Sequence, residues 1–268
     1  MSTVELRRLA WAGLEVRARN GVAVIDLVED FTRLHGAAPP SSELPPPPRE
    51  QSADVALLTH LHGDHADVAA VKRALQPEGC VFRPEAAFGG PAETALVEGP
   101  EAALAASDLP TRVFTAWETV EVGPFSITAL PAADGFGDPQ VSWCIAAEGT
   151  RILHAGDTVF HGWWWLAAQR CGPFDVAFLP AGGAVVDLAP RQPPSPLPAG
   201  MDPRQAAIAG KLLGARQVVP IHYGPLHEAE NYVQASDPAG TFEAAARELG
   251  VETRVLQPGE LISAQLSE

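Results

Sequence analysis

Thr59-His60-Leu61-His62-Gly63-Asp64-His65 is the stretch on which the reading of this chain turns. Three of the eight histidines in 268 residues fall within six consecutive positions, with an aspartate among them. Metal ligands on one helical face would be spaced i and i+4. His60 and His62 are two apart, which suits a loop leaving a strand, where alternate side chains point the same way. On that reading His60 and His62 share one metal ion, and Asp64 and His65, past Gly63, reach a second one nearby. Imidazole with carboxylate is borderline donor chemistry, suited to zinc, manganese or iron. The plainer alternative is a solvated polar loop, or a helix start capped by Asp64.

Outward from the cluster, residues 54–59 read as a short buried strand that supports it, and residues 66–75 have helical composition. Upstream, Leu14, Val16 and Ala18 alternate with polar residues, Asn20-Gly21 signals a turn, and 22–27 is an apolar strand, so 5–28 is predicted to be a β-hairpin. Residues 36–52, with Pro39, Pro40 and the prolines at 45–48, can be neither helix nor central strand and read as a surface excursion flanking the site. Downstream, strands are predicted over 80–82, 112–116, 118–122, 125–130, 141–147, 151–154, 176–179, 218–221 and 252–256. Asp202 and Pro203 open a helix that Gly214 ends, and a second helix over 241–249 is closed by Gly250. Residues 84–110, rich in Ala, Gly and Pro, receive no elements. Strands early and alternating helices and strands later point to α/β sheets with helices outside them, in one domain over 1–268.

The formal charge is -15 and 46% of the residues are hydrophobic. Such a surface repels nucleic acid and anionic membrane, and no apolar run is long enough to span a bilayer. Charges at intervals in the first twenty residues interrupt any signal-peptide core. Cys80, Cys144 and Cys171 form no CxxC pair and read as reduced thiols, so a cytoplasmic protein is expected. The lysines, Lys72 and Lys211, fall beside no motif, which argues against Schiff-base chemistry.

The cluster resembles the HxHxDH signature of the metallo-β-lactamase superfamily, and two later segments follow the same pattern. His154-Ala155-Gly156-Asp157-Thr158 resembles the segment that supplies the metal-bridging aspartate, and Pro220-Ile221-His222-Tyr223-Gly224 the one that supplies the last histidine of the second metal. Met201-Asp202-Pro203 and its Leu-Gly-Ala helix ending, with Trp11-Ala12-Gly13 near the start, look like the branch of ascorbate-6-phosphate lactonase-like and N-acyl-phosphatidylethanolamine phospholipase-like proteins. The resemblance implies an αββα sandwich holding two divalent ions, zinc first and manganese or iron as alternatives, on His60, His62, Asp64, His65, Asp157 and His222. One position departs from the family. Asp134, in Pro131-Ala132-Ala133-Asp134-Gly135, stands where a histidine is usual. As a ligand it would favour a harder metal; Asp134-Gly135 can instead be a turn, with Asp138 the nearest substitute.

That set implies a hydrolase using a metal-bridging hydroxide on a small ester, lactone or phosphodiester, with Asp64 both ligating and orienting the nucleophile. His161 and His227 are the candidates for substrate contact or proton donation, with Tyr232 beyond the last ligand. Trp163, Trp164 and Trp165 read as packing or pocket rim, and His154 as a hydrogen-bonded core residue. His35 is assigned nothing. A mononuclear iron oxidoreductase of persulfide dioxygenase-like type and a non-catalytic binding protein on the same fold remain alternatives. A nuclease would need a basic patch or an added domain that the chain lacks. The expected partner is a small-molecule substrate, with neither nucleic acid nor stable membrane insertion; a homo-oligomer is left open. Substrate identity would rest with the loops at 39–49, 84–110 and 185–200.

Overall fold

Alternate residues of the apolar runs face opposite ways, so each central strand carries two apolar faces and needs cover on both. A computed structural model describes residues 3–31, 44–189, 191–224 and 230–264. Its first half holds β1 (Val4–Arg8), β2 (Leu14–Ala18), β3 (Gly21–Ile25), β4 (Ala53–Leu57), α1 (Val68–Ala74), β5 (Leu75–Arg83), α2 (Pro91–Thr94), α3 (Glu98–Ala105), β6 (Thr111–Val113), β7 (Thr119–Val122) and β8 (Phe125–Pro131). The second half holds β9 (Val141–Ala147), β10 (Thr150–His154), α4 (Trp164–Cys171), β11 (Val176–Pro180), β12 (Val185–Val186), α5 (Pro203–Leu213), β13 (Gln217–Ile221), β14 (Tyr232–Val233), α6 (Pro238–Leu249) and β15 (Leu261–Ala264).

One sheet runs β15-β1-β2-β3-β4-β5-β6, the other β13-β11-β10-β9-β8-β7, and β12 pairs with β14 in a short ribbon. Between the sheets, Ile25, Val55 and Leu57 of the first pack with Ile127, Trp143, Ile152 and Phe178 of the second. Intervening residues face outward. Val24, Ala56 and Leu58 meet Ala70, Val71 and Leu104 of α1 and α3; Leu153, Ala177 and Leu179 meet Trp164, Leu213 and Phe242 of α4, α5 and α6. The layers are therefore helix, sheet, sheet, helix, the αββα order that the resemblance implies. Trp143 is fully buried and its indole Nε1 donates to Leu58 O at 3.1 Å, pinning β9 to the residue after β4. Truncating such a side chain to alanine costs about 3–5 kcal/mol.

Several local expectations change. Residues 5–28 form a three-stranded meander, because Leu9–Gly13 makes its own turn before β2. The β2–β3 turn is Arg19-Asn20, with Gly21 already paired to Ala18. Residues 252–256 are not a strand: a single bridge joins Thr253 to Val218, and the edge strand is β15, paired to β1. Residues 84–110 hold α2 and α3. The helix after the histidines is capped by Asp67, whose carboxylate accepts from Ala70 N, so Asp64 is free for other work. Asp202 and Gly214 cap α5 as expected. His35, Pro39, Pro40 and His227 lie outside the described residues.

Candidate metal centre

The site stands where strands end. Asp26 follows β3, Thr59 to His65 follow β4, Asp134 follows β8, Asp157 follows β10 and His222 follows β13. Val141 N donates to Thr59 O at 2.9 Å, tying the two sheets at this edge. Gly156, at φ 69°, lies against Thr59, and a side chain there would strike it.

Hydrogen bonds fix which nitrogen of each imidazole faces inward. Thr59 Oγ1 donates its one proton to Asp26 Oδ2 at 2.7 Å, so toward His60 Nδ1, 3.0 Å away, it can only accept. His60 then carries its proton on Nδ1 and presents a bare Nε2. His62 Nε2 donates to Asp138 Oδ2 at 2.9 Å and presents Nδ1. His65 Nδ1 donates to Asp26 Oδ2 at 2.8 Å and presents Nε2. A carboxylate or hydroxyl behind each imidazole is the usual means of orienting a metal-binding histidine.

The inward-facing atoms converge. His60 Nε2 and His62 Nδ1 are 3.0 Å apart, and Asp134 Oδ1 is 3.8 Å from His62 Nδ1. His222 Nε2 lies 3.4 Å from Asp64 Oδ2 and 3.5 Å from Asp157 Oδ2, and His65 Nε2 is 3.6 Å from Asp64 Oδ2. Donor atoms of Asp64, His65 and His222 group within 4.8 Å, as do those of His60, His65 and Asp157. His65 Nε2, His222 Nε2 and Asp134 Oδ1 are buried without a hydrogen-bond partner, although buried polar atoms are normally satisfied. Orphaned imidazole and carboxylate atoms facing one another are the donor set a divalent transition ion requires, so the residues fit the metals that the sequence pattern implies.

The electrostatics show how much charge is packed here. Burial opposes the charge on His65, but Asp64 and Asp26 outweigh it and raise its pKa to about 9. Burial likewise opposes His62, outweighed by Asp138, Asp134 and Asp64, so its pKa is raised. His60 is held well below the usual value by burial and by His65 and His62. Burial lifts Asp157 to about 6, with His222 and His65 pulling the other way. Asp64 is held well below the usual carboxylate range: burial opposes this, and His65 and His222 prevail.

Asp134 closes the turn offered as one of its readings and leaves its other oxygen facing the site. Its Oδ2 accepts from Phe136 N at 2.6 Å and Asp138 N at 3.2 Å, closing a turn, while Oδ1 faces His62. Asp138 sits behind His62, held by Arg191 Nη2 at 3.1 Å. His161 is engaged with its own helix start, Nδ1 accepting from Trp163 N at 3.2 Å and the ring stacking on Trp164 at 4.0 Å. Burial lowers its pKa to about 4, so it is neutral at pH 7 with its proton on Nε2. Trp164 is buried, and Trp163 and Trp165 are exposed. Tyr232 lies near enough to Asp157 and Asp64 that they add to burial in raising its pKa. His154 Nε2 bonds Ala12 O at 2.7 Å in the core.

Sequence reasoning missed Asp26, Arg191 and the role of Trp11. Trp11 Nε1 donates to Asp64 Oδ2 at 3.0 Å, and its ring lies 4.3 Å from His222. Trp11, Asp26 and His222 have φ of 58°, 43° and 58°, left-handed conformations that cost non-glycine residues about 1–3 kcal/mol each and collect at functional sites. A lone aspartate inside the apolar run Val24-Ile25-Asp26-Leu27-Val28 was the available signal for Asp26.

Residues 23–223 match the family signature described as a beta-lactamase superfamily domain. A UPF0173 metal-dependent hydrolase of Thermococcus kodakarensis is 33% identical over 223 residues, 80% of this chain and 83% of the relative. Among solved structures, a metallo hydrolase of Ignicoccus hospitalis superposes with a TM-score of 0.68 over 99% of this chain and 100% of its own, at 19% identity. A diiron beta-hydroxylase of Streptomyces venezuelae gives a TM-score of 0.68 over 99% of this chain and 54% of its own, at 18% identity.

Proposed function

This chain belongs to the beta-lactamase superfamily and to its metal-dependent hydrolases, and from that premise we propose a two-metal hydrolase of small ester, lactone or phosphodiester bonds. His60, His62 and Asp134 would hold one ion, Asp64, His65 and His222 the other, with Asp157 shared. The observation that carries this is the convergence of His60 Nε2 and His62 Nδ1, 3.0 Å apart, with the partnerless Asp134 Oδ1, and of the likewise partnerless His65 Nε2 and His222 Nε2 on Asp64. Zinc is the first choice, with manganese or iron favoured by the extra carboxylate of Asp134. Such ions supply an ionised water at neutral pH and polarise the substrate oxygen.

The protein's own groups do the positioning. Asp64 stays ionised across the neutral range, and Trp11 Nε1 fixes one of its oxygens, so the carboxylate is placed to accept a hydrogen bond from the attacking water and orient it. His161, neutral and with Nε2 buried, does not suit acid catalysis, and is retained as a substrate-contact candidate from the sequence pattern alone. His227 is retained as a candidate proton donor from the sequence pattern alone. A small-molecule partner suits the net charge of -15. No helix among the described residues is long and apolar enough to cross a membrane; the free thiols at 80, 144 and 171 suit the cytoplasm.

A reconstituted activity panel of lactones, thioesters, phosphodiesters and phosphomonoesters tests this reading. Turnover that His62→Ala and Asp157→Ala abolish while the chain stays folded is expected. Oxygen consumption by the iron-loaded protein with no hydrolysis would favour the oxidoreductase alternative instead.

A further inference from the structure

We propose that the pocket beside Phe136 and Arg191 seats the non-reacting arm of the substrate, and that this arm is neutral and part-apolar, an acyl or alkoxy group. The inference rests on the hydrolase reading for calling the ligand a substrate, and adds the class of group it carries.

The cavity is about 350 Å³, within the range of small-molecule sites. Phe136, Val186, Arg191, Ser195, Leu197 and Ala199 contribute to its walls. It is fastened to the metal centre at three points. The Phe136 ring meets His62 edge-on at 5.9 Å. Arg191 Nη2 donates to both oxygens of Asp138, at 3.1 and 3.2 Å, and Asp138 in turn holds His62. Gly200, next after the lining residue Ala199, lies directly on Asp157 Oδ1, where any side chain would collide. The wall running from Arg191 to Gly200 therefore starts and finishes on the centre's own residues.

The walls are also held in shape. Ala199 N donates to Ala184 O at 2.8 Å, Met201 N to Thr158 O at 3.2 Å, and Gly135 packs so closely on the Ala199 backbone that a side chain there has no room. Arg191 straps the pocket to α2 through Nη1 to Ala92 O at 2.7 Å and Nη2 to Glu93 O at 2.8 Å, while Nε donates to Phe136 O at 3.2 Å.

Those bonds decide the charge preference. Among the described residues that line it, Arg191 alone has a formal charge, and each of its three nitrogens already donates inside the protein. A phosphate or carboxylate on this arm would find no uncommitted cation, next to Asp134 and Asp138, and its desolvation would go uncompensated. Phe136 and Leu197, the last 71% exposed at the rim, offer apolar surface beside the uncharged side chains of Ser195 and Gln192.

The test is titration of the zinc-loaded full chain, followed by NMR, with N-benzylacetamide and with its sulfonate, 4-(acetamidomethyl)benzenesulfonate. Neither is an ester, so binding is read without turnover. The neutral amide should bind about tenfold tighter. Leu197→Asp and Ser195→Trp, both at exposed positions, should each weaken amide binding about tenfold while the circular dichroism spectrum is unchanged. No saturable amide binding, equal binding of the sulfonate, or indifference to both variants would overturn the proposal. A protein that binds the amide with this pattern and hydrolyses nothing keeps the pocket and loses the hydrolase reading; one that hydrolyses esters without this pattern does the reverse.

Discussion

His60 Nε2 and His62 Nδ1 stand 3.0 Å apart, each turned into the site. Thr59 and Asp138 claim the protons of the two rings on their far sides. A divalent ion placed between them would take both nitrogens as ligands. Asp134 Oδ1, buried without a partner, completes the approach from a third direction.

Asp26 is the residue whose loss most directly disturbs this arrangement without touching an inward-facing atom. Its carboxylate accepts from Thr59 N, Thr59 Oγ1 and His65 Nδ1. Asp26→Asn replaces one acceptor oxygen by a donor, so one of those bonds becomes a clash of protons. Metal affinity or activity should fall by about 10–100-fold, the usual cost of losing such a partner. Competition against a chromophoric chelator measures it, and unchanged affinity would contradict the assignment.

Asp134→His restores the donor usual in the family and removes a hard ligand. The ratio of zinc to manganese bound from an equimolar mixture should rise. The turn closed by Asp134 Oδ2 is lost at the same time, at about 1 kcal/mol of stability, so a modest drop in Tm should accompany the change. A ratio that does not move would place Asp134 outside the metal's coordination.

Metal loading should release protons. His65, with its pKa raised to about 9, is protonated at neutral pH in the metal-free protein and must give up the Nε2 proton to bind. Calorimetry in buffers of different ionisation enthalpy should show this release at pH 7.5 and its loss above about 9; a further proton from Asp157 should appear below about pH 6. The sign for folding follows from the same shift. A histidine whose folded pKa is raised contributes stability that is complete below its unfolded value, about 6.5, and is lost as pH rises through 9. His65→Gln should therefore narrow its stability deficit to the metal-free wild type over that window; a constant deficit would contradict the shift.

Gly200→Ala should lower activity more than stability. The new methyl group has no space except that of Asp157 Oδ1, so the carboxylate must turn aside. Retained Tm with full turnover would show that Asp157 is not held where the structure puts it.

The histidine run stood out because four ligand-type residues crowd into six positions, and Asp157 and His222 were singled out because their segments resemble those of the family. Asp202 and Gly214 were legible because capping chemistry is local. What escaped depends on contacts between distant segments. Asp26 reads as a strand end until Thr59 and His65 arrive from beyond residue 50. Arg191 reads as a loop charge until Asp138 and α2 surround it. The strand expected at 252–256 failed because its neighbour β13 accepts only one bridge there, and the last strand, Leu261–Ala264, joins the other sheet beside β1, where it is half-exposed and short.

The central claim is a centre of two ions sharing Asp157. Metal content per chain, measured by plasma mass spectrometry after reconstitution and gel filtration, tests it most directly. The account predicts about two divalent ions in the wild type and no more than about one in Asp157→Ala. A wild-type protein that retains no more than about one ion per chain would contradict it.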